Sequence, residues 1–276
     1  MDNRLIFLDI DGTLTEPGAN TPPESALNAI RKTQILGNQV FLCTGRNYAM
    51  MNPLLRFGFD GYIASAGGYV VVNDQVIYSN PMNEEQRNRV FHVLQENNIF
   101  RTVECKNGSY TDEGLKDFLK EQAASSGNSE LIRWREQIEK SLNILPMSDY
   151  DGSPVYKVVM MGTSMEGMQK AADELKEDFQ TVILGVEKSG LINGELLNLE
   201  FDKGRAVKRI AEYLGVDMAN TFGYGDSMND KEMIISVGHS VVMDNGDPKL
   251  KALANEIAPA VTDDGLYKSF EKNGLL

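Results

Sequence analysis

Leu5-Ile6-Phe7-Leu8-Asp9-Ile10-Asp11-Gly12-Thr13 is the stretch on which the fold turns. Four apolar residues in a row, with no polar alternation, form the pattern of a strand covered on both faces of a parallel sheet. Two carboxylates follow at once. Side chains two apart on an extended chain point the same way, so Asp9 and Asp11 address one place. Gly12 lets the backbone turn sharply and come close to a ligand. Like charges held so near each other are costly unless a cation or a shared proton relieves them. The pair therefore points to a divalent metal with a nucleophile and an acid or base beside it. An Asp-Gly turn closing a strand is the plainer reading of the same residues.

Outward from this strand the pattern alternates. A helix is expected around Pro23–Leu36, a strand at Val40–Cys43, a helix around Tyr48–Phe57 and a strand near Tyr62–Ala64. Tyr69–Val72 and Val76–Tyr78 read as a hairpin turned at Asn73-Asp74. The last third repeats the alternation. It runs as helix Lys203–Leu214, strand Thr221–Tyr224, helix near Asp230–Ser236, strand Ser240–Met243, helix Pro248–Asn255, strand Ala260–Thr262 and a final helix. Such alternation predicts an α/β fold, a doubly wound parallel sheet with helices on both faces.

The middle has a different texture. Residues 84–98 form an amphipathic helical pattern, 113–123 and 130–142 read as helical, and Val155–Met161 as a strand. Met165–Phe179 reads as a helix and Thr181–Val186 as extended. This is a separate α/β unit set into the sheet domain. The expected division is 1–81 with 196–276 as the core and 82–195 as the insert, both of ordinary domain size.

Composition narrows the partners. With 27 Lys and Arg against 40 Asp and Glu, the net charge of −13 disfavours nucleic acid and anionic membranes, which need basic surface. No apolar stretch reaches the roughly 18 residues of a membrane span. The N-terminus leads straight into the first strand, so no signal peptide is expected. Two cysteines, Cys43 and Cys105, are too few for a disulfide framework, and a reduced, cytoplasmic protein is the expectation. A monomer or weak homo-oligomer is expected.

Three more segments fall where strands end, the edge at which open α/β sheets bind ligands. Thr44-Gly45-Arg46 follows Val40–Cys43 and offers a hydroxyl beside accessible backbone N–H groups, suited to a phosphoryl oxygen, although Thr-Gly is also an ordinary turn. Lys203-Gly204 opens a helix. A lysine there opposes the helix dipole, so its position calls for an anion; a solvated lysine is the plainer reading. Gly225-Asp226-Ser227-Met228-Asn229-Asp230 gathers hard oxygen donors on a strand-to-helix turn, a set that suits Mg²⁺. An Asx-rich helix cap would account for one or two of these residues. Gly223-x-Gly225 lacks the third glycine of a dinucleotide fingerprint.

In this order and spacing, the four segments resemble the four motifs of the haloacid dehalogenase superfamily, closest to its Cof-like sugar-phosphatase branch. The resemblance covers the whole length, and Lys157-Val158-Val159 and the stretch Glu195 to Lys203 also look like that branch. It implies a Rossmann-like core with an inserted α/β cap domain and Mg²⁺-dependent hydrolysis of a small phosphorylated metabolite, with phosphosugars the leading class. Asp9 would be the nucleophile. Asp11 would protonate the leaving alcohol and then deprotonate the hydrolytic water. Mg²⁺ would be held by the Asp9 and Asp226 side chains and the Asp11 backbone carbonyl. Thr44, Gly45, Lys203 and Asn229 would take the phosphoryl group, with Asp230 orienting Lys203 or a metal-bound water.

Two departures are visible. Ala66-Gly67-Gly68 stands where the branch carries Asn-Gly-Ala, and Met243-Asp244-Asn245-Gly246 where it carries Met-Gly-Asn-Ala. His92, His239, Trp134, Tyr110 and the 13 methionines read as packing or solvated residues. Two rivals stay open at this point: a phosphomutase using the same first-motif carboxylates, and a non-enzymatic response module with acids clustered around Mg²⁺. Residues 82–195 carry scattered basic residues, Arg133 and Arg135 among them as a close pair, where a mutase needs a second phosphate-binding cluster.

Overall fold

The computed structural model describes residues 3–115, 144–186 and 190–276. It divides into two units. One comprises residues 3–46, 51–79 and 201–276, and the other Asn47–Met50 with the described part of 80–200. In chain order the first strands are β1 (Leu5–Leu8), β2 (Gln39–Cys43), β3 (Gly61–Ala64), β4 (Tyr69–Val72) and β5 (Gln75–Ser79). The second unit carries β6 (Phe100–Cys105), β7 (Ser109–Thr111), β8 (Ile144–Pro146), β9 (Val155–Gly162), β10 (Phe179–Val186) and β11 (Ile192–Asn198). The chain then returns as β12 (Thr221–Gly225), β13 (His239–Met243) and β14 (Glu256–Ala258).

The first unit is an eight-stranded sheet in the order β14-β13-β12-β1-β2-β3-β4-β5. It is parallel from β14 to β3 and ends in an antiparallel hairpin. Every residue of β1 is buried, as the unbroken apolar run requires of a central strand. Phe7, Phe41, Cys43 and Ile63 pack on one face against Ala206, Val207, Ile210 and Ala211 of helix Lys203–Leu214. On the other face the Tyr224 ring lies 5.3 Å from Phe270 of helix Gly265–Lys272. The hairpin turns at Asn73 and Asp74, both at positive φ (48° and 62°), the left-handed pair that a two-residue turn between twisted strands demands.

Register places the site. Leu8 pairs with Leu42 on one side and Tyr224 on the other, so β1, β2 and β12 end level with one another. Asp9, Thr44 and Asp226 therefore emerge along one edge of the sheet.

Several expected elements differ. The helix expected over Pro248–Asn255 stops at Lys251, and the strand expected at Ala260–Thr262 is instead β14 at Glu256–Ala258. Pro259 lacks the N–H a continuing ladder needs, and residues 261–263 form a 3₁₀ turn. The segment 230–236 is a 3₁₀ turn, Met228–Asp230, leading into the short helix Lys231–Ile234.

The second unit is a six-stranded sheet in the order β10-β11-β9-β6-β7-β8. Helices Glu84–Glu96 and Met165–Leu175 supply Val90, Val93, Leu94, Met168, Ala171 and Leu175 to its core. Helix Met165–Leu175 ends short of Phe179, which begins β10. Strand β11 carries the chain past residue 195, within the unit that comprises Asn47–Met50 and the described part of 80–200. Buried Lys157 sits 2.8 Å from Glu195 and 3.4 Å from Glu104, a charged group whose desolvation is offset by two carboxylates. Tyr110 is core, edge-on to Tyr150, while His92 is exposed beside Glu96. The expected helical segments beyond residue 115 and up to 142, with Trp134, Arg133 and Arg135, lie outside the described residues. Among the described residues no helix is long and apolar enough to cross a membrane.

Candidate active site

Asp9 stands at the end of β1, nearly fully buried, with its backbone N–H donating to Tyr224 O at 2.9 Å. The chain then folds back tightly, Leu14 N and Thr15 N both donating to Ile10 O. Gly12, at φ +84°, is the close-approach point: a Cβ there would lie 2.4 Å from Asp226 Oδ2. Thr13 Oγ1 donates to Asp226 Oδ1 at 3.2 Å, joining the ends of β1 and β12.

Lys203 lies at the first turn of its helix and is fully buried. Its Nζ donates to Asp9 Oδ1 at 2.7 Å and Asp230 Oδ1 at 2.5 Å, with Asn229 Oδ1 at 3.4 Å. These partners answer the question its position raised. An ammonium against the positive end of a helix is stabilised by two buried carboxylates, and the preceding Asp202 caps the helix through Arg205 N. Burial opposes the lysine's charge, but Asp230 and Asp9 outweigh it and hold its pKa above the ordinary value. Asp230 Oδ2 accepts from the backbone N–H groups of Asp226 and Ser227 at 3.0 and 3.2 Å. With both oxygens engaged, Asp230 serves as a brace between Lys203 and the β12 loop.

Burial pushes the Asp9 carboxyl up, and the negative charge of Asp230 adds to this, while Lys203 opposes it. Burial and then Asp230 push Asp226 up to about 6, against the Thr13 hydrogen bond. Negative charge is thus in excess here. Carboxylate oxygens of Asp9, Asp226 and Asp230 all lie within 4.8 Å of one another. A hard divalent cation fits this set: the donors are oxygens, the excess charge needs neutralising, and glycine at position 12 keeps the space beside Asp226 clear.

Thr44 is buried at the end of β2, where its Oγ1 accepts from Arg46 N at 3.1 Å, with Gly45 between them. Asn229 is exposed on the β12 loop. Asp11 is separate from the carboxylate group: its side chain is turned to Arg46, at 2.6 and 2.8 Å. Burial works against its charge, but the Arg46 hydrogen bonds and positive charge outweigh that and lower its pKa. Sequence reasoning gives neither Arg46 nor Asn245 a role; for Arg46, a basic residue directly after a Thr-Gly at a strand end is the available signal. Asn245 Nδ2 donates to Gly12 O at 2.8 Å and its Oδ1 accepts from Val261 N, so Asn245, which the departure at 243–246 leaves in place, clamps the Gly12 loop.

The comparisons with known proteins agree in kind. A family model described as haloacid dehalogenase-like hydrolase matches residues 6–270. YkrA of Bacillus subtilis is 28% identical over 282 residues, covering 100% of both chains. An HMP-PP phosphatase of Serratia proteamaculans is 28% identical, covering 92% of this chain and 88% of its own. Among solved structures, a phosphatase of the haloalkanoate (HAD) enzyme superfamily from Bacteroides thetaiotaomicron superposes with a TM-score of 0.81 at 19% identity. That match covers 100% of this chain and 96% of the other, a likeness of fold.

Proposed function

The chain belongs to the haloacid dehalogenase-like hydrolase family, and on that premise we propose that it is a Mg²⁺-dependent phosphatase of a small phosphorylated metabolite, a sugar phosphate by class, working through an aspartyl-phosphate. The observation that carries this reading is the Asp9 carboxylate, buried at a strand end, oriented by Lys203 and set beside Asp226. Asp9 attacks phosphorus as the bond to the leaving oxygen breaks, and Asp11 gives that oxygen a proton. Asp11 then takes a proton from water, which attacks the aspartyl-phosphate and releases inorganic phosphate and free Asp9. Lys203, Thr44, Gly45 and Asn229 meet the equatorial oxygens, where charge gathers in the transition state. Mg²⁺ would be held by the Asp9 and Asp226 side chains and the Asp11 backbone carbonyl. When bound it supplies positive charge to this acidic pocket.

The test is a panel of phosphorylated metabolites with Mg²⁺, read by phosphate release in heavy-oxygen water. Phosphate formed in step with the free alcohol, with one solvent oxygen in each, is the expected result. Conversion of a hexose phosphate to its positional isomer with little phosphate released would make the protein a mutase.

Titration of the cluster gives a second check. A carboxyl whose folded pKa is raised keeps a proton that the unfolded chain gives up. The metal-free protein should therefore lose stability as pH rises from Asp226's ordinary 3.8 through about 6, and further as Asp9 ionises. Mg²⁺ must displace these protons. The rise in Tm on adding Mg²⁺ should thus be small near about pH 5.5 and larger near about pH 8, in thermal melts at constant ionic strength. An equal rise at both values would remove Asp9 and Asp226 as the ligands.

A further inference from the structure

Asp11 is held by more than a surface ion pair. Arg46 Nε donates to its Oδ2 at 2.8 Å and Nη2 to its Oδ1 at 2.6 Å, a two-point fork. Nη1 donates to Asn20 Oδ1 at 2.7 Å, and Nη2 also reaches Ala19 O at 3.4 Å. Gly18 N–H donates to Asp11 Oδ1 at 2.7 Å. The Arg46 side chain is 9% exposed and that of Asp11 39%. The guanidinium is thus the buried, anchored partner, tied to the end of β2 and to the loop at 18–20, and the carboxylate is the more exposed one.

Asp11 Oδ1 accepts from both Arg46 Nη2 and Gly18 N–H, whereas Oδ2 accepts one bond, from Arg46 Nε. A carboxyl oxygen with one hydrogen bond keeps a second lone pair, so Oδ2 is the oxygen that can carry a proton to a leaving group. The guanidinium and the Gly18 N–H meanwhile keep Oδ1 pinned and the carboxyl from swinging at random.

We infer that Arg46 is the positioning residue for Asp11: its guanidinium, anchored through Asn20 and Ala19, is the pivot that aims the Asp11 carboxyl at the leaving oxygen. This rests on the role given to Asp11 above. Arg46 touches no reacting atom in this role and acts through Asp11 alone.

The experiment compares first-turnover rates of the Mg²⁺-loaded full chain on a sugar phosphate, whose alkoxide needs a proton, and on p-nitrophenyl phosphate, whose phenolate leaves without one. Arg46→Ala should slow the sugar phosphate on the order of 10²-fold and p-nitrophenyl phosphate by less than about 3-fold, as lost acid catalysis requires. Arg46→Lys keeps the charge without the fork and should fall between, which guards against a misfolded alanine variant. In an Asp11→Asn background, Arg46→Ala should add nothing further, the signature of two residues acting as a unit. Equal losses on both substrates, or an additive loss in the double variant, would overturn the inference and leave Arg46 a phosphate-binding or structural residue. Should Asp11→Asn itself slow both substrates alike, the acid role of Asp11 falls, and the positioning role with it. An Asp11→Asn split that Arg46→Ala does not reproduce removes Arg46 alone.

Discussion

Asp9→Asn is expected to abolish turnover, by on the order of 10⁴-fold or more, while the protein stays folded. The amide is close in size to the carboxylate, so the packing at the end of β1 survives. It carries no charge to attack phosphorus and is a poor ligand for a hard cation. Stability should suffer little in the metal-free protein, because burial and Asp230 already disfavour the charged form of Asp9. Loss of activity with an unchanged melt is therefore the combination to look for. Acid-quench trapping of phosphate from labelled substrate should show a phosphoryl-enzyme in the unaltered chain and none in the variant. Appreciable phosphate release from a preparation verified by mass would exclude Asp9 as the nucleophile.

Lys203→Met should cost both activity and stability. The substitution removes the one ammonium that Asp9 and Asp230 share and leaves two carboxylates facing each other in a buried site. Removing one partner of a buried ionic group costs about 3–5 kcal/mol, which in a chain of this size lowers Tm by roughly 6–20 °C. The loss should grow with pH, as more of the unpaired carboxyls must ionise, and Mg²⁺ should recover part of it. A melt unchanged from that of the unaltered chain would show that Lys203 does not neutralise the pair. Phosphate release should fall as well, since the same ammonium is assigned to the phosphoryl oxygens.

Legibility from sequence followed how local each cause was. β1, β2 and β12 are short apolar runs closed by turn residues, and nothing distant is needed to recognise them. The antiparallel strands of the second unit were harder. Phe100–Cys105 and Ile192–Asn198 each bring an acid to the sheet, buried Glu104 or partly buried Glu195, and Gly194 interrupts the second. Such residues read as loop until Lys157, on the strand between, supplies their counter-charge. The same holds at β14. Glu256 argues against a strand locally, and its burial is offset by Ser269 and Asn273, at the last helix, which donate to it, and by Lys272 at 3.4 Å.

The order of the four segments, the residue types they present and their arrival at strand ends were determined by the sequence, since strand termination and turn chemistry act over a few residues. Which charge meets which was decided only in three dimensions. Asp9 meets Lys203 194 positions away, and Asp11 turns from that cluster to Arg46, 35 positions away. Asp9 and Asp11 look alike along the strand. The level ends of β1, β2 and β12 and the tight turn at Gly12 give one a buried ammonium and leave the other, more exposed, on an anchored guanidinium fork. Side-chain orientation depends on partners that only the register of the sheet brings within hydrogen-bonding distance.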